Sequence, residues 1–209
     1  MSTQTEPDLL AVVRDPHARA LAELEDQPGD LLAAVAWCST HLAASDSVLY
    51  PVVLRRLPDG RRRVRTARAD DHLLQQALCR LDRRLTGASH LDALPVPVLV
   101  QEALIALRVH AENELEMLER LAPVLDVVEE RQLAERMVRV TAAAPTRPHP
   151  HTRHTPLSPF VARVEATIDR VRDVMDNRVV PGGRRARSAL PPTRWGCYAL
   201  GAPYPPARR

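Results

Sequence analysis

Lysine is missing from this sequence, and several other residue types are scarce. All 29 basic residues among the 209 are arginine, which we attribute to a GC-rich coding sequence rather than to function. Aromatic residues make up only 3% of the chain and glycines number only 7, whereas Leu, Ala, Val and Arg dominate. Such a composition is typical of helical proteins. It predicts an all-α protein, and a chain of this length can bury one core of ordinary size.

The sequence also lacks the segments that would indicate secretion, a membrane span or a familiar type of active site. The stretch MSTQTEPDLLAVVRD has neither a basic region nor an apolar core, so no signal peptide is expected. No apolar run approaches the ~18 residues that a membrane-spanning helix requires. The three cysteines, Cys38, Cys79 and Cys197, lack metal-ligand spacing and suit a reducing compartment. No nucleophile–base pair, phosphate loop or dinucleotide fingerprint occurs. We therefore predict a cytoplasmic protein without a membrane segment, and we do not predict an enzyme.

Charge and proline content divide the chain near residue 145. Residues 1–145 carry 17 arginines against 22 acidic residues, a net of −5, whereas residues 146–209 carry 12 against 4, a net of +8. Eleven of the 19 prolines lie from Pro145 onward. The division predicts a helical bundle over 8–144, a Pro/His-rich linker over 145–156, a C-terminal helix over 157–178 and a basic Pro/Arg-rich disordered tail over 179–209. Nothing in the tail indicates specific nucleic-acid recognition, and the sequence identifies no protein partner.

Amphipathic stretches separated by turn signals define the helices of residues 8–144. The turn signals are QPGD, PDG, TGAS and a proline at position 123. We predict four long helices over about 8–26, 30–57, 61–85 and 98–121, followed by a weaker one over 126–144 and a last one over 160–178. Long helices with short connections favour an up-down-up-down four-helix bundle with additional C-terminal helices and a disordered tail.

Histidines occur on or near the apolar stripe of each long helix, at about 100° of rotation per residue. His17 lies on the stripe of the first helix, and His41 lies on that of the second, which continues to Leu49 and Val52. On the fourth helix, His110 and Glu114 are one turn apart. A single buried histidine is usually a hydrogen-bonded core residue, but an ionised carboxylate in an apolar stripe needs a partner. Together with His72, at the border of the third stripe, these side chains favour a site for iron, manganese or zinc.

Three segments resemble the hemerythrin-like (HHE cation-binding) domain: HLAASDSVLYPVV, DDHLLQQALCRLD and HAENELEMLERL. The resemblance implies a bundle that holds non-haem iron, binds dioxygen or peroxide, and serves in oxygen or redox sensing or in iron handling. It assigns ligand roles to His17, His41, His72, His110 and Glu114. Ser45 stands where the family places a bridging carboxylate, and Gln76 stands where it places a histidine or a glutamate.

These two departures leave three interpretations open. The expected cofactor is iron, as one or two ions. Two ferrous ions would be poorly neutralised by a single carboxylate in an apolar core, so a di-iron site would be incomplete. A single iron could be held by His17, His41 and Glu114, or by His72, His110 and Glu114. Alternatively, the chain is a metal-free helical interaction module that kept the bundle after losing its metal.

Overall fold

The computed structural model describes residues 8–26, 29–87, 94–148, 167–169, 179–180 and 184–185. Its six main α-helices are α1 (Leu9–Glu25), α2 (Leu31–Ala44), α3 (Tyr50–Arg56), α4 (Gly60–Leu85), α5 (Val96–Leu121) and α6 (Val127–Ala143). A π-helical turn, Ser45–Leu49, joins α2 to α3, and a 3-10 turn, Ala122–Val124, follows α5. Two short strands, Val179–Val180 and Arg184–Arg185, pair antiparallel. The predicted all-α class is confirmed apart from the two short strands, which lie in the segment predicted to be a disordered tail. The bounds of α1, α4, α5 and α6 lie within two residues of the predicted ones, but the π-helical turn divides the helix predicted over 30–57 into α2 and α3.

Side chains at the helix ends explain why the helices begin and end where they do. The carboxylates of Asp8, Asp30 and Asp126 each accept a hydrogen bond from a backbone N–H of the following first turn. The backbone N–H of Asp126 in turn donates to the Glu129 carboxylate, which completes a capping box. Caps of this type stabilise a helix by about 1 kcal/mol each. After α4, Gly87 adopts a φ of 70°, a left-handed conformation that favours glycine at the end of a helix.

The helical segment from residue 31 to residue 56 changes its hydrogen bonding at the π-helical turn. The Tyr50 N–H donates to the carbonyl of Ser45, five residues back. The next residue, Pro51, has no N–H and crowds the carbonyl four residues before it. The extra residue in this turn rotates the following residues by about 100° relative to an unbroken α-helix. Tyr50 and Val53 are consequently buried, whereas Val52, which was predicted to face inward, is only half-buried.

Four helices contact one another in a closed ring: α1 with α2, α2 with α4, α4 with α5, and α5 with α1. Helix α6 contacts α1, α2 and the π-helical turn. The buried apolar side chains form two clusters, one containing Val13, Leu49 and Met117 and the other containing Leu24, Leu78 and Leu107. Along α1 and α5, the chain passes from one cluster to the other through a stretch that contains the buried polar residues His17, or His110 and Glu114. None of the described helices is both long enough and apolar enough to cross a membrane.

The beginning of the predicted linker packs against other described residues. Residues 145–148 are buried. The Arg147 backbone N–H donates to the carboxylate of Asp169 at 3.0 Å, and the Arg147 guanidinium lies 3.6 Å from the Asp82 carboxylate. Residues 149–156 of the linker lie outside the described residues, as do most of the predicted C-terminal helix, of which 167–169 are helical, and most of the predicted tail. The bounds of these three segments therefore stay predictions.

Candidate metal centre

The structure brings four of the five predicted ligands together in the core. His17 comes from α1, His41 from α2, and both His110 and Glu114 from α5. One donor atom of each residue lies within 4.8 Å of the donor atoms of the other three, and all four side chains are buried. His110 and Glu114 reach the same point because residues four apart share a face of a helix. We refer to these four residues as the His/Glu cluster.

Glu114 lies at the centre of the His/Glu cluster. Its Oε2 is 2.6 Å from the Nε2 of His41, 3.3 Å from that of His17 and 3.7 Å from that of His110. The Glu114 side chain has no exposed surface, and burial alone would raise its pKa. The charges of His41 and His110, with the hydrogen bond from His41, outweigh burial and hold the pKa of Glu114 well below its usual range. Glu114 is therefore an anion in the core.

Two histidines of the cluster have pKa values shifted in opposite directions. Burial and then the charge of His41 lower the pKa of His17 to about 4. Burial also opposes a charge on His110, but the hydrogen bond with Asp71 and the charges of Glu114 and Asp71 outweigh it and raise the pKa of His110 to about 9. At neutral pH, His17 is thus a neutral imidazole with a lone pair to offer. His110 carries a proton that a metal ion would have to displace.

Several polar atoms of the cluster have no hydrogen-bond partner among the described residues. They are Oε1 of Glu114, both ring nitrogens of His17, Nδ1 of His41 and Nε2 of His110. Buried polar atoms are ordinarily paired, so this concentration of unpaired ring nitrogens and carboxylate oxygen is what a metal site would require. Metal–ligand distances of ~2.0–2.2 Å would place adjacent donors ~2.8–3.6 Å apart. The distances of 3.3 and 3.7 Å from the Glu114 Oε2 are close to that range. Three imidazoles and one carboxylate are donors suited to a single transition-metal ion, which would have to replace the 2.6 Å hydrogen bond between the Nε2 of His41 and the Oε2 of Glu114.

His72, the fifth predicted ligand, is not part of the cluster. It is half-buried on α4, and its Nε2 lies 2.8 Å from the side-chain nitrogen of exposed Gln76. The inward residue of α4 is its neighbour Asp71, about 100° away around the helix. His72 therefore lies outside the His/Glu cluster, and His72, His110 and Glu114 do not form a group of donors among the described residues. For the same reason, Gln76 does not occupy a vacated ligand position.

Ser45, in contrast, does face the cluster. Its Oγ lies 3.4 Å from the Nε2 of His41, and the residue is completely buried. A serine hydroxyl is a neutral and weak ligand compared with the carboxylate that the resemblance places here. Glu114 is consequently the one carboxylate among the four clustered donors.

Sequence reasoning missed two residues that support the cluster from outside. Asp71 Oδ1 lies 2.8 Å from His110 Nδ1, and the Tyr50 hydroxyl donates to both carboxylate oxygens of Asp71 at 3.0 and 2.9 Å. The position of Asp71 was available in the sequence, because it lies three residues before Leu74 on the apolar stripe of α4. The position of Tyr50 was not, since the π-helical turn rotates it inward.

Comparisons with known proteins returned no match. No protein-family model matches the chain, and neither a search of curated proteins nor a search of solved structures found a significant similarity. The resemblance to the hemerythrin-like domain therefore stays a prediction from the sequence motifs. Independently of this resemblance, the structure contains a buried group of three histidines and one glutamate that could hold a metal ion.

Proposed function

We propose that this chain is a hemerythrin-like protein that binds non-haem iron and acts in oxygen or redox response or in iron handling. In this proposal α1, α2 with α3, α4 and α5 form an up-down-up-down four-helix bundle, and the closed ring of contacts among α1, α2, α4 and α5 supports it. The observation that carries the proposal is the convergence of His17, His41 and His110 on the Oε2 of Glu114.

A single ion fits the cluster better than a pair. Di-iron centres in helical bundles use several carboxylates, with a Glu from each of the contributing helices. Here Ser45 supplies no charge, and Asp71 is engaged by His110 and Tyr50. One divalent ion facing one carboxylate leaves less uncompensated charge in the core than two ions would. We therefore propose a mononuclear site formed by His17, His41, His110 and Glu114.

Bound iron would supply the capacity to bind dioxygen or peroxide and to change oxidation state. The residues of the chain supply the rest. Glu114 provides the negative charge, and the neutral imidazole of His17 provides a lone pair without the need to lose a proton. Because all four donors are buried, the site also excludes bulk water. The proposal assigns binding and sensing, and it assigns no catalysed reaction.

The proposal is tested by the metal content of untagged protein expressed with added iron. We expect about one ion per chain, as the four-donor set implies. Glu114→Gln and His41→Ala should lose the metal, whereas His72→Ala should keep it because His72 lies outside the cluster. Two ions per chain would contradict the mononuclear site. No binding of iron, manganese or zinc would contradict the metal function itself.

The second candidate is a metal-free interaction module, and the surface between α4 and α5 favours it. Leu73 is 59% exposed and Ile105 is 62% exposed, and both line one groove with Val109. Exposed apolar side chains gathered in this way are typical of protein-binding surfaces. A melting temperature that neither iron nor a chelator changes would support this function over the first, because an ion bound to the native state stabilises it.

A further inference from the structure

Asp71 contacts the proposed ligand His110 through the ring nitrogen that does not face the His/Glu cluster. Its Oδ1 lies 2.8 Å from the Nδ1 of His110, on the side of the ring opposite to the cluster. The other ring nitrogen, Nε2, lies 3.7 Å from the Glu114 Oε2 and has no hydrogen-bond partner among the described residues. One imidazole nitrogen is therefore occupied by a carboxylate, and the other is aimed at the site.

Tyr50 in turn holds Asp71. The Tyr50 hydroxyl donates to both carboxylate oxygens, and the Tyr50 side chain is completely buried. The π-helical turn is what brings this hydroxyl to α4, because in an unbroken helix residue 50 would point about 180° away from His41. Burial of Asp71 and its bonds to two partners leave this carboxylate little freedom to rotate.

We infer that Asp71, held by Tyr50, is the positioning residue of the metal centre. It accepts the Nδ1–H of His110, and it thereby fixes the ring orientation in which the Nε2 lone pair meets the ion. A histidine that ligates metal commonly donates its second N–H to a carboxylate, and loss of that partner typically weakens metal binding 10–100-fold. The inference rests on the proposed function, since it names the residue that sets the affinity of the same site.

The adjacent residue Asp70 provides a matched control. It is also an aspartate on α4, but its Oδ2 accepts from the side chain of Asn113 at 2.7 Å instead of from a histidine. Metal-free full-length protein would be titrated with Co²⁺, whose visible absorption reports occupancy and coordination. Asp71→Ala should raise the Kd for Co²⁺ about 10–100-fold. Asp70→Asn should leave it within about threefold, because Asp70 bonds to Asn113 rather than to a ligand and its charge is the smallest of those that raise the pKa of His110.

A second measurement reports the orientation of His110 without any metal. In protein containing ¹⁵N-histidine, the Nδ1–H of His110 should give a protected resonance in the wild type and in Asp70→Asn. This resonance should be absent from Asp71→Ala. If Asp71→Ala does not fold, Tyr50→Phe replaces it, because this variant removes only the hydroxyl that holds Asp71. The expected effect of Tyr50→Phe on the Kd is smaller, about threefold to tenfold.

The outcomes separate this inference from the proposed function. A wild-type protein that binds no Co²⁺, iron, manganese or zinc would overturn the proposed function together with the ligand role of His110. A wild-type protein that binds Co²⁺, with unchanged affinity in Asp71→Ala and Tyr50→Phe, would overturn only the role of Asp71. The role of Asp71 would be established if Asp71→Ala lost the His110 Nδ1–H resonance and bound Co²⁺ more weakly. Asp70→Asn should keep both the resonance and the affinity.

Discussion

Without metal, the stability of this protein should pass through a maximum near pH 6.5, because His17 and His110 have opposite pKa shifts. The pKa of His110 is raised from 6.5 to about 9, so its stabilising contribution is complete below pH 6.5 and is lost as the pH rises through 9. The pKa of His17 is lowered from 6.5 to about 4. Between these two pH values, His17 therefore binds a proton in the unfolded chain but not in the folded chain. Stability therefore also falls as the pH drops from 6.5 towards 4.

The same pKa shifts give the size of the stability loss on each side of the maximum, which we call the acidic and the alkaline limb. A change of one pKa unit corresponds to roughly 1.4 kcal/mol, so each histidine contributes up to about 3 kcal/mol at its limit. Glu114 adds to the acidic limb only at lower pH, because its pKa lies well below the usual range and stability is lost as the pH falls through it. Since the total stability of a domain is about 5–15 kcal/mol, both limbs should be measurable.

Urea unfolding followed by circular dichroism, in the presence of a chelator, tests this expectation between about pH 4 and pH 9, the interval set by the two pKa values. His110→Gln should flatten the alkaline limb, and His17→Gln should flatten the acidic limb. His72→Gln is the control, because His72 lies outside the cluster and both limbs should survive its loss. A stability that changes in one direction only across this interval would refute the reasoning, as would limbs that the first two variants leave unchanged.

Three further results are expected. A chelator should lower the Tm of iron-loaded protein, because free metal at about 100 times Kd adds ~2.7 kcal/mol of stability; a thermal melt of His72→Ala should show the same decrease. Ser45→Glu should tighten metal binding at least about tenfold and destabilise the metal-free protein by roughly 1–3 kcal/mol, since it buries a second carboxylate beside His41; unchanged affinity in a metal titration would mean that residue 45 does not reach the ion. Leu78→Ala should cost about 2–5 kcal/mol in urea unfolding, and Leu73→Ala, at a position that is 59% exposed, should change stability by less than about 0.5 kcal/mol.

The sequence was sufficient to predict the helices and most of the cluster. Helix bounds are encoded locally, by aspartate caps such as Asp30 and by glycine and proline between the helices. His17, His41 and Glu114 were identifiable because each lies well inside an apolar stripe, where a polar side chain is conspicuous. These features depend on neighbours within one or two turns, which is the range over which a sequence pattern carries information.

Two errors have physical causes that a helical pattern does not contain. His72 and Asp71 are adjacent, and the packing of α4 against α5 decides which of them faces inward. A stripe that is ~100° wide cannot distinguish two neighbours at its border. The π-helical turn likewise changes the phase of the helix after Ser45, so the inward residues became Tyr50 and Val53 rather than Val52. The first outcome is set by contacts between helices, and the second by the change in helical hydrogen bonding just before Pro51.

The position of the His/Glu cluster between the two apolar clusters has a consequence for how the helices align. Leucine side chains in a core exchange neighbours at modest cost, so apolar contacts alone tolerate a helix displaced along its axis. A displacement of one turn, ~5.4 Å, would carry His17 or Glu114 into a layer of leucines and leave its charge or its ring nitrogens without a partner. The polar layer therefore favours one axial register for α1, α2 and α5, and this preference requires no metal ion.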